Sequence, residues 1–213
     1  MSHYDAEYFS WQTSVGDVGA VLNRRKFAAW LTDACTVLDF GCGNGALLEQ
    51  LPGKTKIGVE VGRQAREAAQ ARGITVYARV DQVEPNSLDV VISNHALEHV
   101  ERPLDELRAL HGVLKPGGRA VLVVPINDWR AERHANPSDP NHHLYTWTPL
   151  LFGNLLAEAG YTVESCRVLT HAWRRKFLLL HRILPEPLYT LAAWTLAVLT
   201  RSRQIHAVAL KPW

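Results

Sequence analysis

The stretch Val37-Leu38-Asp39-Phe40-Gly41-Cys42-Gly43-Asn44-Gly45 constrains the fold more than any other part of the 213-residue chain. A short β-branched run leads into three alternating glycines, and a helical pattern starts at Ala46. A strand that turns through glycines into a helix builds a ligand crevice at the carboxyl edge of a parallel sheet. The glycines let backbone approach the ligand closely, and the following helix start favours an anion there. Gly41-x-Gly43-x-x-Ala46 also satisfies a loose dinucleotide fingerprint, so a nucleotide-dependent oxidoreductase and a ligand-free tight turn both stay open.

Downstream, strands and helices alternate. Lys56–Val61 reads as a second strand, Arg63–Arg72 as a helix closed by Gly73, and Thr75–Tyr77 as a brief third strand. Leu88–Ser93 is an apolar fourth strand, and Pro103 opens a helix with Leu104, Leu107, Leu110 and Leu114 on one side. Lys115-Pro116-Gly117-Gly118 stops that helix before a fifth strand at Ala120–Val124. Thr148, Pro149 and Gly160 delimit another helix, followed by strands at Tyr161–Val168 and Gln204–Leu210. This rhythm predicts an α/β fold, a Rossmann-like seven-stranded, mostly parallel sheet with helices on both faces and the last strand antiparallel.

Charge narrows the ligand. Asp39 lies two residues before the first glycine, where a pyrophosphate would meet a carboxylate, whereas a cationic or zwitterionic ligand tolerates it. Glu60 follows about 20 residues after the turn, the spacing at which a carboxylate accepts the hydroxyls of an unphosphorylated ribose. A ribose, a carboxylate and a positive centre together describe S-adenosylmethionine.

With Gly58-Val59-Glu60, Leu88–Ser93, Ala96-Leu97-Glu98-His99-Val100 and Leu114–Gly118 in order behind the glycine turn, the chain resembles the class I S-adenosylmethionine-dependent methyltransferases. Ala159-Gly160-Tyr161-Thr162-Val163 resembles their late helix-to-strand junction. The resemblance implies that Gly41, Cys42 and Gly43 line the methionine part of the cofactor, with Asp39 near its amino group. Glu60 would take the ribose hydroxyls, Val80 and Asp81 would lie at the adenine, and Asn94 and His95 would lie near the transferring methyl. It implies a cofactor, S-adenosyl-L-methionine, and leaves the acceptor undetermined.

Residues 126–148 form a long polar insertion, expected on the acceptor side. Within it His143, and next to it His142, are the candidates for a general base, since imidazole titrates near neutrality; surface histidines that cap backbone are the competing reading. Trp129, Tyr145 and Trp147 are candidates to stack on an acceptor ring. His95-x-x-Glu98-His99 resembles the Glu-x-x-Glu-His arrangement of quinone-pathway O-methyltransferases, with His95 replacing the first glutamate; no metal is assigned on that basis. Cys42 has no adjacent base that would make it a nucleophile.

A single domain is expected: residues 1–35 as a helical lid with Tyr4, Tyr8 and Trp11 on one stripe, 36–125 as cofactor-binding core, and 169–203 as an apolar helical insertion. The last contains Arg174-Arg175-Lys176, Phe177–Leu180 and Leu188–Thr200, none long enough for a bilayer span. It is expected to cover the sheet edge or active site, to form a homodimer contact, or to lie at a membrane surface. Met1–Ser10 has no apolar leader pattern, so a cytoplasmic protein is expected. Cys35, Cys42 and Cys166 form no disulfide framework. A net charge of +2 and no Asn-Pro-Pro-Tyr-type tetrapeptide after the fourth strand argue against a nucleic-acid substrate. A small-molecule acceptor follows, methylated on an oxygen of a sugar, lipid-linked intermediate or aromatic metabolite. A non-catalytic cofactor-binding scaffold is the remaining alternative.

Overall fold

The computed structural model describes residues 19–127, 132–137, 139, 141–170 and 183–213. Its seven strands are β1 (Thr36–Phe40), β2 (Thr55–Val59), β3 (Thr75–Tyr77), β4 (Leu88–Asn94), β5 (Leu114–Pro125), β6 (Thr162–Thr170) and β7 (Arg203–Leu210). They form one sheet in the order β3-β2-β1-β4-β5-β7-β6, with β7 antiparallel to both β5 and β6. The strand order reverses between β1 and β4, the switch point where such sheets bind ligands.

Alternation along each strand explains the two packed faces. Val37, Val90, Ile92, Val121, Val123 and Val208 point to one side, where they meet Phe27, Leu31, Leu48 and Ala69. Leu38, Val91, Leu122 and Ala207 point to the other, against Leu107, Leu110, Phe152 and Leu156. Both faces are covered, so the central strands are mostly apolar, with Asp39 in β1 and Asp89 and Ser93 in β4 as polar exceptions. Each such side chain stabilises the fold by about 1.5–3 kcal/mol when fully buried.

The α-helices beside the sheet include α1 (Ala46–Glu49), α2 (Arg63–Ala71), α3 (Pro103–Val113), α4 (Pro149–Glu158) and α5 (Glu186–Leu199). Thr148 caps α4 as expected, its hydroxyl accepting from the Leu151 amide, and Gly160 follows with φ +98°. Three details differ from expectation. Helix α1 is a single turn, because Pro52 and Gly53 (φ +155°) stop it early. The Lys115–Gly118 stretch is a bulge inside β5, where pairing jumps from Leu88–Leu114 to Val90–Arg119. The second strand ends at Val59, leaving Glu60 and Val61 outside the ladder.

Helix α5 buries Tyr189, Ala193 and Ala197, with Leu22 packed into the same small cluster. Its opposite side exposes Leu188, Leu191, Trp194, Val198 and Leu199. At 14 residues it is about 21 Å long. No helix among the described residues is long and apolar enough to cross a membrane. The expected aromatic stripe at Tyr4, Tyr8 and Trp11 lies outside the described residues, as do Trp129 and the first apolar run of the insertion, Phe177–Leu180.

Candidate active site

The glycine turn is built by backbone necessity. Gly41, Gly43 and Gly45 have φ values of +76°, +54° and +79°. A Cβ on Gly41 would stand 2.4 Å from Ala96 Cβ, so the loop after β4 closes directly on the turn. The Gly41 and Cys42 amides both donate to the Val59 carbonyl, at 2.8 and 3.2 Å. Ser93 Oγ donates to Phe40 O at 2.9 Å, fastening β4 to β1 at the switch point.

Glu60 splints this turn from the end of β2. Its Oε2 accepts from the Gly43 amide at 3.0 Å and its Oε1 from the Gly62 amide at 2.8 Å. Arg66 Nη1 donates to the Glu60 and Val61 carbonyls, holding the chain that carries the carboxylate. Asp39 is 2% exposed, and its Oδ1 makes no hydrogen bond. Burial, then the neighbouring Glu60 charge, pushes its carboxyl well above the usual carboxylate range. Cys42 lies against Gly58, where a Cβ would approach its Sγ to 2.5 Å, and burial raises its thiol pKa, so it packs and does not attack.

Val80 is buried beyond β3, whereas Asp81 forms an ion pair with Arg79 and is 55% exposed. At the end of β4, Asn94 and His95 stand side by side. His95 has φ +59°, uncommon for a residue with a Cβ, and its amide donates to Val123 O at 2.9 Å. This kink directs the chain from the sheet edge into the Glu98 turn.

Glu98 is fully buried and neither carboxylate oxygen is hydrogen-bonded, while His95 Nδ1 lies 3.2 Å from Oε1, an ion pair when the imidazole is protonated. Glu98 O accepts from the Leu144 and Tyr145 amides, which brings the 141–147 segment onto the same edge. His143 meets the His99 ring edge-on at 5.0 Å, and its Nδ1 is within hydrogen-bonding distance of the Asn127 amide group. Burial holds the His99 imidazole below its usual pKa, more than Glu98 raises it. Glu98, His99 and His143 each place a donor atom within 4.8 Å of the others, a set suited to a divalent cation as well as to proton transfer. His142 is exposed at φ +48°, its amide donating to Asp139 Oδ2. Trp147, expected as an acceptor platform, is instead 7% exposed and packs into the core against Phe152, with Tyr145 stacked outside it.

Glu98 is marked in the sequence by its place in His95-x-x-Glu98-His99, whereas Lys26 reaches the same edge without a sequence signal strong enough to reveal it. Lys26 Nζ donates to Asn94 Oδ1 at 3.0 Å and to Gln204 Oε1 at 2.8 Å, joining the N-terminal segment to the ends of β4 and β7. Burial lowers its pKa to about 7, with Glu98 pulling the other way.

A glycine turn at the switch point, a buried acid beside it and a ribose-type carboxylate after β2 define a doubly wound domain for a nucleoside-bearing cofactor. The family profile described as methyltransferase domain matches residues 17–166. A ubiquinone biosynthesis O-methyltransferase from Pseudomonas syringae pv. tomato is 38% identical over 103 residues, 43% of this chain and 44% of the relative. The matched stretch therefore spans less than half the length of that curated relative. The structure superposes on a SAM-dependent methyltransferase from Thermotoga maritima with TM-score 0.71 at 17% identity, covering 99% of this chain and 100% of that one. Haemonchus contortus phosphoethanolamine N-methyltransferase 2, solved with S-adenosyl-L-methionine, gives TM-score 0.65 at 18% identity over 97% of this chain and 57% of its own. The chain belongs to the class I S-adenosylmethionine-dependent methyltransferase family.

Proposed function

We propose that the protein transfers a methyl group from S-adenosylmethionine to an oxygen of a small-molecule acceptor. The observation that carries this reading is Asp39, a buried carboxylate with an unpartnered oxygen in the wall of the glycine turn. Such a group is costly unless a cation meets it, and the amino group of the cofactor's methionine supplies one. Gly41, Cys42 and Gly43 line that methionine, and Glu60 takes the ribose hydroxyls. Val80 packs at the adenine, with Asp81 beside it. Asn94 and His95 border the methyl.

A sulfonium methyl is already activated, so catalysis is chiefly alignment of the acceptor oxygen at about 3–3.5 Å from the methyl carbon. The oxygen forms a bond to that carbon as the carbon–sulfur bond breaks, and sulfur keeps the electron pair. His143 takes the hydroxyl proton. When its Nδ1–H donates to Asn127 Oδ1, its Nε2 is the free acceptor for that proton. His142 is the second candidate. Residues 36–125 hold the cofactor, the described part of 126–148 supplies the acceptor side, and the described part of 1–35, residues 19–35, borders it. The name of the Pseudomonas syringae relative, ubiquinone biosynthesis O-methyltransferase, supports an oxygen of a small molecule as the acceptor.

Calorimetric titration with S-adenosylmethionine and S-adenosylhomocysteine tests the cofactor assignment. Both bind the wild type, and Glu60→Ala removes binding; tight NADH binding with no response to either would refute the reading. A labelled-methyl screen over metabolite extracts then identifies the acceptor.

A further inference from the structure

Helix α5 is apolar on two opposite sides. At about 100° per residue, Tyr189, Ala193 and Ala197 fall on one stripe, and all three are buried. Leu188, Leu191, Trp194 and Val198 fall on the opposite stripe with Leu199 at its edge, and each is 48–77% exposed. No charged residue occurs between Pro187 and Thr200. The hydroxyls are turned inward as well: Thr195 Oγ1 donates to the Leu191 carbonyl at 2.9 Å, and Thr200 Oγ1 to the Leu196 carbonyl at 2.8 Å. A helix packed on one side of a domain ordinarily turns charged and polar side chains to water on the other. An outer face that is apolar from end to end marks contact with a second apolar phase.

Charge identifies that phase. Residues 169–203 hold six of the chain's 23 Lys and Arg residues and one, Glu186, of its 21 Asp and Glu residues. This stretch is therefore net +5, and the remainder of a chain whose total is +2 is net −3. Two of the six stand directly behind α5. The Arg201 and Ser202 amides donate to the Val198 and Ala197 carbonyls, which folds the chain back beside the last turn. Arg201 and Arg203 are exposed, and neither forms an ion pair among the described residues. A symmetric dimer through α5 would place the same positive stretch on both sides of one interface, where like charges repel. An anionic bilayer supplies both an apolar phase and the opposite charge, with indole and aliphatic groups at the acyl boundary and guanidinium groups at the phosphates. Fourteen residues are too few to span it, so the helix lies in the plane of the interface.

We propose that α5 docks the protein on an anionic phospholipid surface, with Leu188, Leu191, Trp194 and Val198 toward the acyl chains and Arg201 and Arg203 at the phosphates. This surface is built independently of the glycine turn and of the acceptor assignment.

The test is flotation of the full chain with vesicles of phosphatidylcholine alone and of phosphatidylcholine mixed with an equal amount of phosphatidylglycerol. The wild type floats with the anionic vesicles and binds the neutral ones at least tenfold more weakly, and a tenfold rise in salt weakens the anionic binding several-fold. Leu191→Glu and Trp194→Glu, changes at exposed side chains, each weaken it at least tenfold. Arg201→Gln combined with Arg203→Gln weakens it several-fold. The single variants keep the wild-type melting temperature, so the loss is one of docking and not of folding, and light scattering finds a monomer in the absence of vesicles. No flotation with anionic vesicles, equal flotation with neutral ones, or undiminished binding of Leu191→Glu would overturn the proposal. A dimer that Leu191→Glu dissociates and that does not float would assign the face to a second copy instead.

Discussion

Asp39→Asn separates the cost of a functional site from its use. In the cofactor-free protein Asp39 is buried with an unpartnered oxygen, and Glu60 lies close enough to repel its charge. Removing an uncompensated buried charge while keeping its shape stabilises by about 1–3 kcal/mol. For a domain of this size each kcal/mol moves Tm by roughly 2–4 °C, so the variant should melt about 2–12 °C higher without cofactor. The pH dependence has a definite sign. A carboxyl whose folded pKa is raised above 3.8 gives a native state that binds more protons than the unfolded one. Wild-type stability attributable to this group therefore falls as pH rises from 3.8 through the raised value. The Tm gap between variant and wild type should widen as pH rises from about 4 toward the raised value and narrow as pH approaches 4. With S-adenosylmethionine at about 100 times Kd, wild type gains about 2.7 kcal/mol, a gain the variant loses with its cation partner. Differential scanning fluorimetry over pH 4–8, with and without cofactor, measures all three quantities. A variant that melts lower than wild type without cofactor, or that keeps the full cofactor shift, refutes the role given to Asp39.

Three further changes follow from the geometry. Gly41→Ala forces a Cβ to 2.4 Å from Ala96 at φ +76° and should cost about 2–4 kcal/mol in chemical denaturation, with loss of S-adenosylmethionine binding; an unchanged midpoint contradicts the close approach. Lys26→Met removes a group whose pKa drops from 10.5 to about 7, so the native state binds fewer protons than the unfolded state between those values. Wild-type stability relative to this variant should rise with pH across that window, by up to about 1.4 kcal/mol per unit, and a flat difference from pH 7 to 10 removes the assigned shift. His143→Ala should leave S-adenosylhomocysteine affinity unchanged while lowering kcat for a hydroxyl acceptor by about 10²–10⁴-fold, and unchanged turnover dismisses it as the base.

The sheet was legible because its signals are local. Leu88–Ser93 is mostly apolar since both its faces are covered, and Gly41, Gly43 and Gly45 take left-handed backbone where the turn closes tightly on Ala96. Thr148 and Gly160 mark the ends of α4 through backbone requirements that no tertiary contact overrides. Trp147 was open to two readings, an acceptor platform or a local hydrophobic plug, and it is the plug. A loop aromatic beside two histidines has the composition of an acceptor platform, but Phe152 lies five residues on, across the helix start, and the two rings pack together in the core.

Lys26 shows why part of the site stayed hidden. Arg24-Arg25-Lys26 has the composition of a solvated basic surface, and nothing local distinguishes its third member. Its burial comes from partners 68 and 178 residues away, Asn94 at the end of β4 and Gln204 at the start of β7. A lysine can only donate in these bonds, so it requires both amides to present their oxygens. The Asn94 NH₂ is thereby turned away from Lys26, and its orientation at the cofactor edge becomes a property of the N-terminal segment. Glu98 is singled out in the sequence between His95 and His99, but its full burial was not legible: a glutamate in a helical turn is usually solvated, whereas here the 141–147 segment folds over it and bonds to its carbonyl. The glycine turn and Glu60 are thus specified by contiguous motifs, whereas residues 26, 94, 98, 143 and 204 are brought to the neighbouring edge only by the topology of the sheet.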